Sequence, residues 1–235
     1  MEISCVWEHN GQDTILYAVN FPGAFSRGNS LEQAREKMPL EIVSYLHWLG
    51  REAPTALTTA IVQEKTSALD IRDADSDVLF DAERLPVTQE EYAQGKSLAM
   101  KSAADFHALY QSIADKNTSC LPVRRCFYGN VPRTAEEMYQ HTRNVNCYYF
   151  SEIGVEADNA GSIVECRARG FAALERQEDY LRNPVFEGSY GEQWSLRKVL
   201  RRFVWHDRIH GKAMWRMAVK TFGAQSVDDV FCFRE

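Results

Sequence analysis

The period of the apolar positions changes along the chain. Glu2 to Trp7 and Thr14 to Phe21 are rich in β-branched and aromatic residues and flank Asn10-Gly11-Gln12-Asp13, a hairpin signal. The turn-rich stretch from Phe21 to Ser30 leaves room for another short strand. Ser30 then precedes a helix from Leu31 towards Leu49, with Ala34, Met38, Ile42, Val43 and Leu46 among its apolar positions. Pro39 predicts a kink in that helix and Gly50 its end. Thr58 to Thr66, centred on Ala60-Ile61-Val62, reads as a further strand. Val78 to Phe80 reads as a short one before Pro86 and a helix starting near Thr88.

Beyond this point the period is helical. A segment from Lys96 to Asp115 carries Leu98, Ala103, Phe106, Leu109, Tyr110 and Ile113 on one face. Thr134-Ala135-Glu136-Glu137 is a capping box that opens a second helix to about Ile153, with Met138, His141, Val145 and Tyr148 in one stripe. A third helix is expected from about Asn159 to Asp179. After a loop from Tyr180 to Glu192, Ser195 caps the last helix. Four amphipathic segments joined by loops predict an up-down four-helix bundle. The fold class expected is therefore α+β: a small α/β domain over residues 1–68, a linker over 69–95, and the bundle over 96–235.

Composition narrows the class of protein. The chain has 235 residues, 45% hydrophobic and 26% charged, ordinary values for a globular protein. The net charge of -6 argues against a general nucleic-acid binder. Arg197, Lys198, Arg201, Arg202 and Arg208 read as the solvated side of the last helix. No apolar run approaches the roughly twenty residues that a membrane span needs. The first residues lack the charged and apolar regions of a secretory signal. Six scattered cysteines without a CxxC pair read as reduced thiols, so a cytoplasmic location is expected. Cys147 reads as a small buried hydrophobe. Asp70-Ile71-Arg72-Asp73-Ala74-Asp75-Ser76-Asp77 lacks the glycine and terminal glutamate of an EF-hand and reads as a solvated linker.

The candidate chemistry lies in Trp205-His206-Asp207-Arg208-Ile209-His210. The apolar stripe of the last helix runs Leu196, Val199, Leu200, Phe203, then His206 and His210, then Met214 and Met217. Two imidazoles one turn apart thus occupy core positions, where they need partners. One divalent metal would supply them. Bundles place metal sites on facing helices, which makes His141 the natural third ligand. The spacing also resembles the His-Glu-x-x-His of zinc peptidases, but Asp207 stands where the general-base glutamate would be and no histidine follows.

Two resemblances join these observations. Tyr17-Ala18-Val19-Asn20-Phe21-Pro22-Gly23-Ala24-Phe25-Ser26 and Gly28-Asn29-Ser30-Leu31-Glu32-Gln33-Ala34 resemble the HicB-like domain, over about the first sixty-five residues. That implies a small α/β unit of a kind that engages a protein partner. Thr134 to His141 together with Trp194 to Lys212 resemble the DinB-like superfamily, over about Lys96 to Gly223. This resemblance implies that His141, His206 and His210 bind a divalent metal, zinc or nickel, with positions left for a small-molecule substrate. It also implies hydrolysis of small amides or transfer of a low-molecular-weight thiol, and an oligomeric, often dimeric, state. Three neutral imidazoles would leave the metal's charge uncompensated, which suits either reaction. Asp207 and Arg208 are candidates for supporting the ligands, and Tyr148 and Tyr149 for orienting a substrate. The competing expectation is a non-catalytic binding or regulatory protein whose α/β domain engages a protein partner.

Overall fold

The computed structural model describes residues 1–11, 13–67, 78–126 and 129–234. The acidic stretch from Asp70 to Asp77, and with it part of the expected linker, lies outside the described residues.

The chain is α+β, a small N-terminal sheet followed by helices. Strands β1 (Glu2–His9), β2 (Thr14–Ala18), β3 (Phe25–Gly28) and β4 (Thr58–Thr66) form one sheet in the order β3-β2-β1-β4. β1 pairs antiparallel with β2 and parallel with β4, and its register against β4 shifts between Cys5 and Val6. Helix α1 (Leu31–Trp48) is the crossover that the parallel β1–β4 pairing requires. It starts where Ser30 Oγ accepts from Gln33 N at 3.3 Å and continues as one helix past Pro39. A helical proline forfeits one backbone hydrogen bond, and burial of Met38 and Ile42 on either side holds both halves of α1 in the core.

The sheet is covered on both faces. Ile3, Cys5, Leu16 and Ala18 belong to the cluster that contains the buried face of α1. Val6, Ile15, Tyr17 and Phe25 surround Trp205 from the last helix, together with Val78 and Phe80. The period-2 alternation of the strands divides these two sets.

Four more helices follow: α2 (Gln89–Ser112), α3 (Ala135–Ser151), α4 (Ile163–Leu174) and α5 (Leu196–Phe222). α2 and α3 each pack against both α4 and α5, and against each other. α2 begins at Gln89, as the helix start expected near Thr88 predicts, and runs without a break into the segment expected from Lys96. Thr88 and Glu91 form a capping box there, Thr88 Oγ1 accepting from Glu91 N at 3.1 Å and Glu91 Oε2 from Thr88 N at 2.8 Å. α4 is shorter than the expected Asn159–Asp179 because Ser162 and Glu165 build a capping box at its start. Val78 to Phe80 is not a strand. Its carbonyls are satisfied by side chains instead, Val78 O by Arg201 Nη2 at 3.0 Å and Leu79 O by Gln63 Nε2 at 3.0 Å. Two short hairpins escaped the pattern reading, β5 (Arg125–Cys126) with β6 (Gly129–Asn130), and β7 (Phe186–Glu187) with β8 (Gln193–Trp194).

One apolar cluster runs from Ile3 and Met38 through Phe106 and Phe150 to Met214 and Phe231. The sheet unit and the helices therefore share an interior. Gly23, at φ +92°, lies so close to α5 that a Cβ there would stand 2.5 Å from Val204 Cγ1. Glu41 of α1 bridges to α5 through Arg208 at 2.8 Å and Lys212 at 3.1 Å.

Candidate metal centre

Two helices bring the histidines together, and both are fixed by their starts. Thr134 Oγ1 accepts from Glu137 N at 3.1 Å, while Glu137 Oε2 accepts from the backbone N–H groups of Arg133 and Thr134 at 2.8 and 3.1 Å. This sets the rotation of α3, which buries Met138, Tyr139, Thr142, Asn146, Tyr149 and Phe150 and leaves His141 half-buried at the margin. Ser195 Oγ accepts from Lys198 N at 3.2 Å and starts α5. Unusually for an amphipathic helix, α5 is buried at nearly every position from Leu196 to Arg208.

His206 has 0% relative exposure, and His210, one turn later, keeps part of its surface. The ring centroids of His206 and His210 are 4.3 Å apart, and His141 lies 5.1 Å from the first and 4.6 Å from the second. One ring nitrogen from each of the three lies within 4.8 Å of the others. Nitrogens bound to one tetrahedral zinc at about 2.0–2.1 Å would stand roughly 3.4 Å apart, so small rotations of these rings suffice to close on an ion. Neither nitrogen of His206 has a hydrogen-bond partner among the described residues. Leaving a buried polar group unpaired costs about 1–3 kcal/mol, so this imidazole is the strongest local sign that something else completes the cluster.

The electrostatics favour the neutral, ligating form of both α5 histidines. Burial is the largest cause pushing the imidazole of His206 well below its usual range, followed by His210, His141 and the guanidinium groups of Arg202 and Arg167. His210 is shifted the same way by burial, His141 and Arg27 of β3. Three neutral imidazoles are a donor set suited to zinc, nickel or another borderline divalent ion.

The structure places the other expected residues elsewhere. Asp207 points to α4 and α2. It forms a two-pronged ion pair with Arg167, whose Nη2 donates to Oδ1 at 3.1 Å, and it accepts from Ser102 Oγ at 2.5 Å. Burial raises its carboxyl pKa while Arg167 opposes the shift. Arg208 turns to α1, donates to Glu41, and is enclosed by the rings of Tyr45, Trp48, Phe231 and Phe233. The expected solvated face of α5 is thus an interior one, its arginines paired or stacked on aromatic rings. Tyr148 contacts Tyr149 and Trp194. Tyr149 is the tyrosine beside the cluster, edge-on to His206 at 5.9 Å, and its hydroxyl accepts from Arg202 at 3.2 Å. Cys147 is half-buried rather than enclosed, and its Sγ accepts from Asn159 Nδ2 at 2.9 Å. His107 bonds the Tyr139 hydroxyl at 2.9 Å and His9 pairs with Glu64 at 2.9 Å.

No helix among the described residues is long and apolar enough to cross a membrane. Compared with known proteins, the chain matches no family model, no curated protein and no solved structure.

Proposed function

We propose that this chain is a divalent-metal protein of DinB-like type, with His141, His206 and His210 as the metal's protein ligands. Zinc or nickel is the ion that the three-imidazole set suits best. In this reading α2 to α5 are the four-helix bundle of that superfamily, and the N-terminal sheet with α1 is a HicB-like unit built onto it. The reaction proposed is hydrolysis of a small molecule or transfer of a low-molecular-weight thiol. The observation that carries the reading is the convergence of three imidazoles on one point, with both nitrogens of the fully buried His206 unsatisfied among the described residues.

The chain's own residues have separable tasks. Burial and the nearby arginines keep His206 and His210 unprotonated, the state in which an imidazole nitrogen can donate its lone pair to an ion. Arg167 and Asp207 tie α4 to α5 directly beside His206. The ring of Tyr149 closes the side of His206 towards Trp194. His141 and His210 are half-buried, unlike the fully buried His206, so any small molecule would approach from their side. His141, His206 and His210 would hold a divalent ion as three neutral ligands, and its uncompensated charge would supply Lewis-acid chemistry towards a substrate group or a thiol.

Elemental analysis of untagged protein tests the reading. It predicts close to one equivalent of divalent metal per chain, and loss of most of it in folded His206→Ala. Metal content near zero, or content unchanged by that substitution, would overturn the assignment.

A further inference from the structure

A second site lies away from the histidines. A cleft of about 870 Å³ opens between the turn Val19–Pro22, the end of α1, the segment 82–87 and the facing sides of α2 and α5. Its volume falls in the upper part of the range of small-molecule sites, roughly 300–1,000 Å³, and such sites concentrate where structural units meet. This one lies where the sheet unit meets the helices. Arg201, on its wall, precedes His206 by five residues, which is roughly 7.5 Å along the helix axis and about 140° around it. None of the three clustered histidines lines the cleft.

The cleft is charged against the sign of the whole chain. It is lined by Arg51, Lys101, Arg197 and Arg201 but only two carboxylates, Glu83 and Glu91. Both carboxylates are already neutralised within the wall, Glu83 by Arg201 at 2.5 Å and Glu91 by Arg197 at 2.8 Å. Arg51 and Lys101 are the cations left in the wall, in a chain whose net charge is -6. Lys101 is matched at 2.7 Å by Oδ2 of Asp105, a residue outside the lining, and the same oxygen accepts from Trp48 Nε1 at 2.6 Å. Arg51 is exposed, and its guanidinium makes no hydrogen bond or ion pair among the described residues. Phe21, Leu49, Leu98 and Leu200 supply an apolar part of the wall, with Asn20, Gln94 and Ser97 among its uncharged polar residues. A cavity with an apolar portion and one uncompensated cation, Arg51, suits a molecule with the complementary division of charge.

We propose that this cleft binds a small amphipathic anion, one carboxylate or phosphate group on an apolar body. Arg51 holds the anionic group, and Phe21, Leu49, Leu98 and Leu200 receive the body. The site is independent of the metal reading, since it uses none of the histidines.

Calorimetric titration of the full-length, chelator-treated chain tests it with three probes of similar size: 4-phenylbutyrate, phenyl phosphate and the neutral 4-phenyl-1-butanol. The expected result is saturable one-site binding of at least one of the two anions, with the neutral alcohol at least tenfold weaker. Which anion binds more tightly separates a carboxylate ligand from a phosphate ligand. Arg51→Ala changes an exposed side chain and should weaken anion binding at least tenfold without altering thermal stability. Leu98→Trp should weaken it by filling the cleft while the charges stay in place. The affinity should be the same in His206→Ala, because anions that coordinated a residual metal would lose their site there. Absence of saturable binding by both anions, equal binding of the alcohol, or loss of binding in His206→Ala would each overturn the proposal.

Discussion

At the scale of single residues, His206 sets the energetic problem. An imidazole at 0% exposure with both nitrogens unsatisfied among the described residues is unfavourable in the metal-free chain, and its charged form is more unfavourable still. Its pKa and that of His210 are depressed from the ordinary 6.5, so the native state binds fewer protons than the unfolded state below that pH. Their contribution to stability is therefore fully present above pH 6.5 and is lost as pH falls towards the depressed values. Each group gives a slope of up to about 1.4 kcal/mol per pH unit across that window. Denaturant unfolding of chelator-stripped protein between pH 7.5 and 5 should show this decline, and the decline should shrink in His206→Ala. A pH-independent stability in the same interval would mean that the two imidazoles are not held neutral by the fold.

At the scale of elements, the starts of α3 and α5 and the edge strand β4 are legible in the sequence because each rests on local chemistry. The Thr134–Glu137 capping box, the Ser195 cap and the strand Thr58–Thr66 all stand where the pattern predicts them. The rotation of α3 was harder to read. The pattern predicts a stripe of Met138, His141, Val145 and Tyr148, of which only Met138 is buried; the buried face runs instead through Tyr139, Thr142, Asn146 and Tyr149, and two of these, Thr142 and Asn146, are polar residues that no hydrophobic period reveals. That rotation puts Tyr149 beside His206 and sends Tyr148 to Trp194. The arginines of α5 misled for a similar reason. A charge pattern cannot distinguish solvent from a partner such as Asp207 or Glu41, which is distant in sequence. Close approach of α3 and α4 depends on Gly170, where a Cβ would stand 2.1 Å from Cε2 of the fully buried Phe150 ring. Gly170→Ala gains roughly 1 kcal/mol of helix propensity but forces that ring aside, and overpacking costs about 1–3 kcal/mol or more. We expect a net loss visible as a lower Tm. An unchanged or raised Tm would show that the α3–α4 contact is looser than described.

At the scale of the whole molecule, the question is whether the sheet unit is a module or part of one interior. Val6, Ile15, Tyr17 and Phe25 bury their side chains around Trp205 of α5, and Glu41 is shared by Arg208 and Lys212 of the same helix. An isolated fragment of residues 1–67 would expose that apolar face to water and should fail to give the circular dichroism of a folded unit. Cooperative folding of that fragment would instead favour an independent module. Because α5 carries the sheet's partners, two of the three clustered histidines and one wall of the cleft, its placement decides the geometry of both sites. The metal assignment is therefore tested most directly by where an ion sits. Anomalous diffraction at the zinc or nickel edge, from crystals of the full chain grown with one equivalent of that metal, should give one dominant peak. The peak should lie about 2.0–2.2 Å from a ring nitrogen of His141, of His206 and of His210. A dominant peak elsewhere, or none between these three rings, would contradict the assignment.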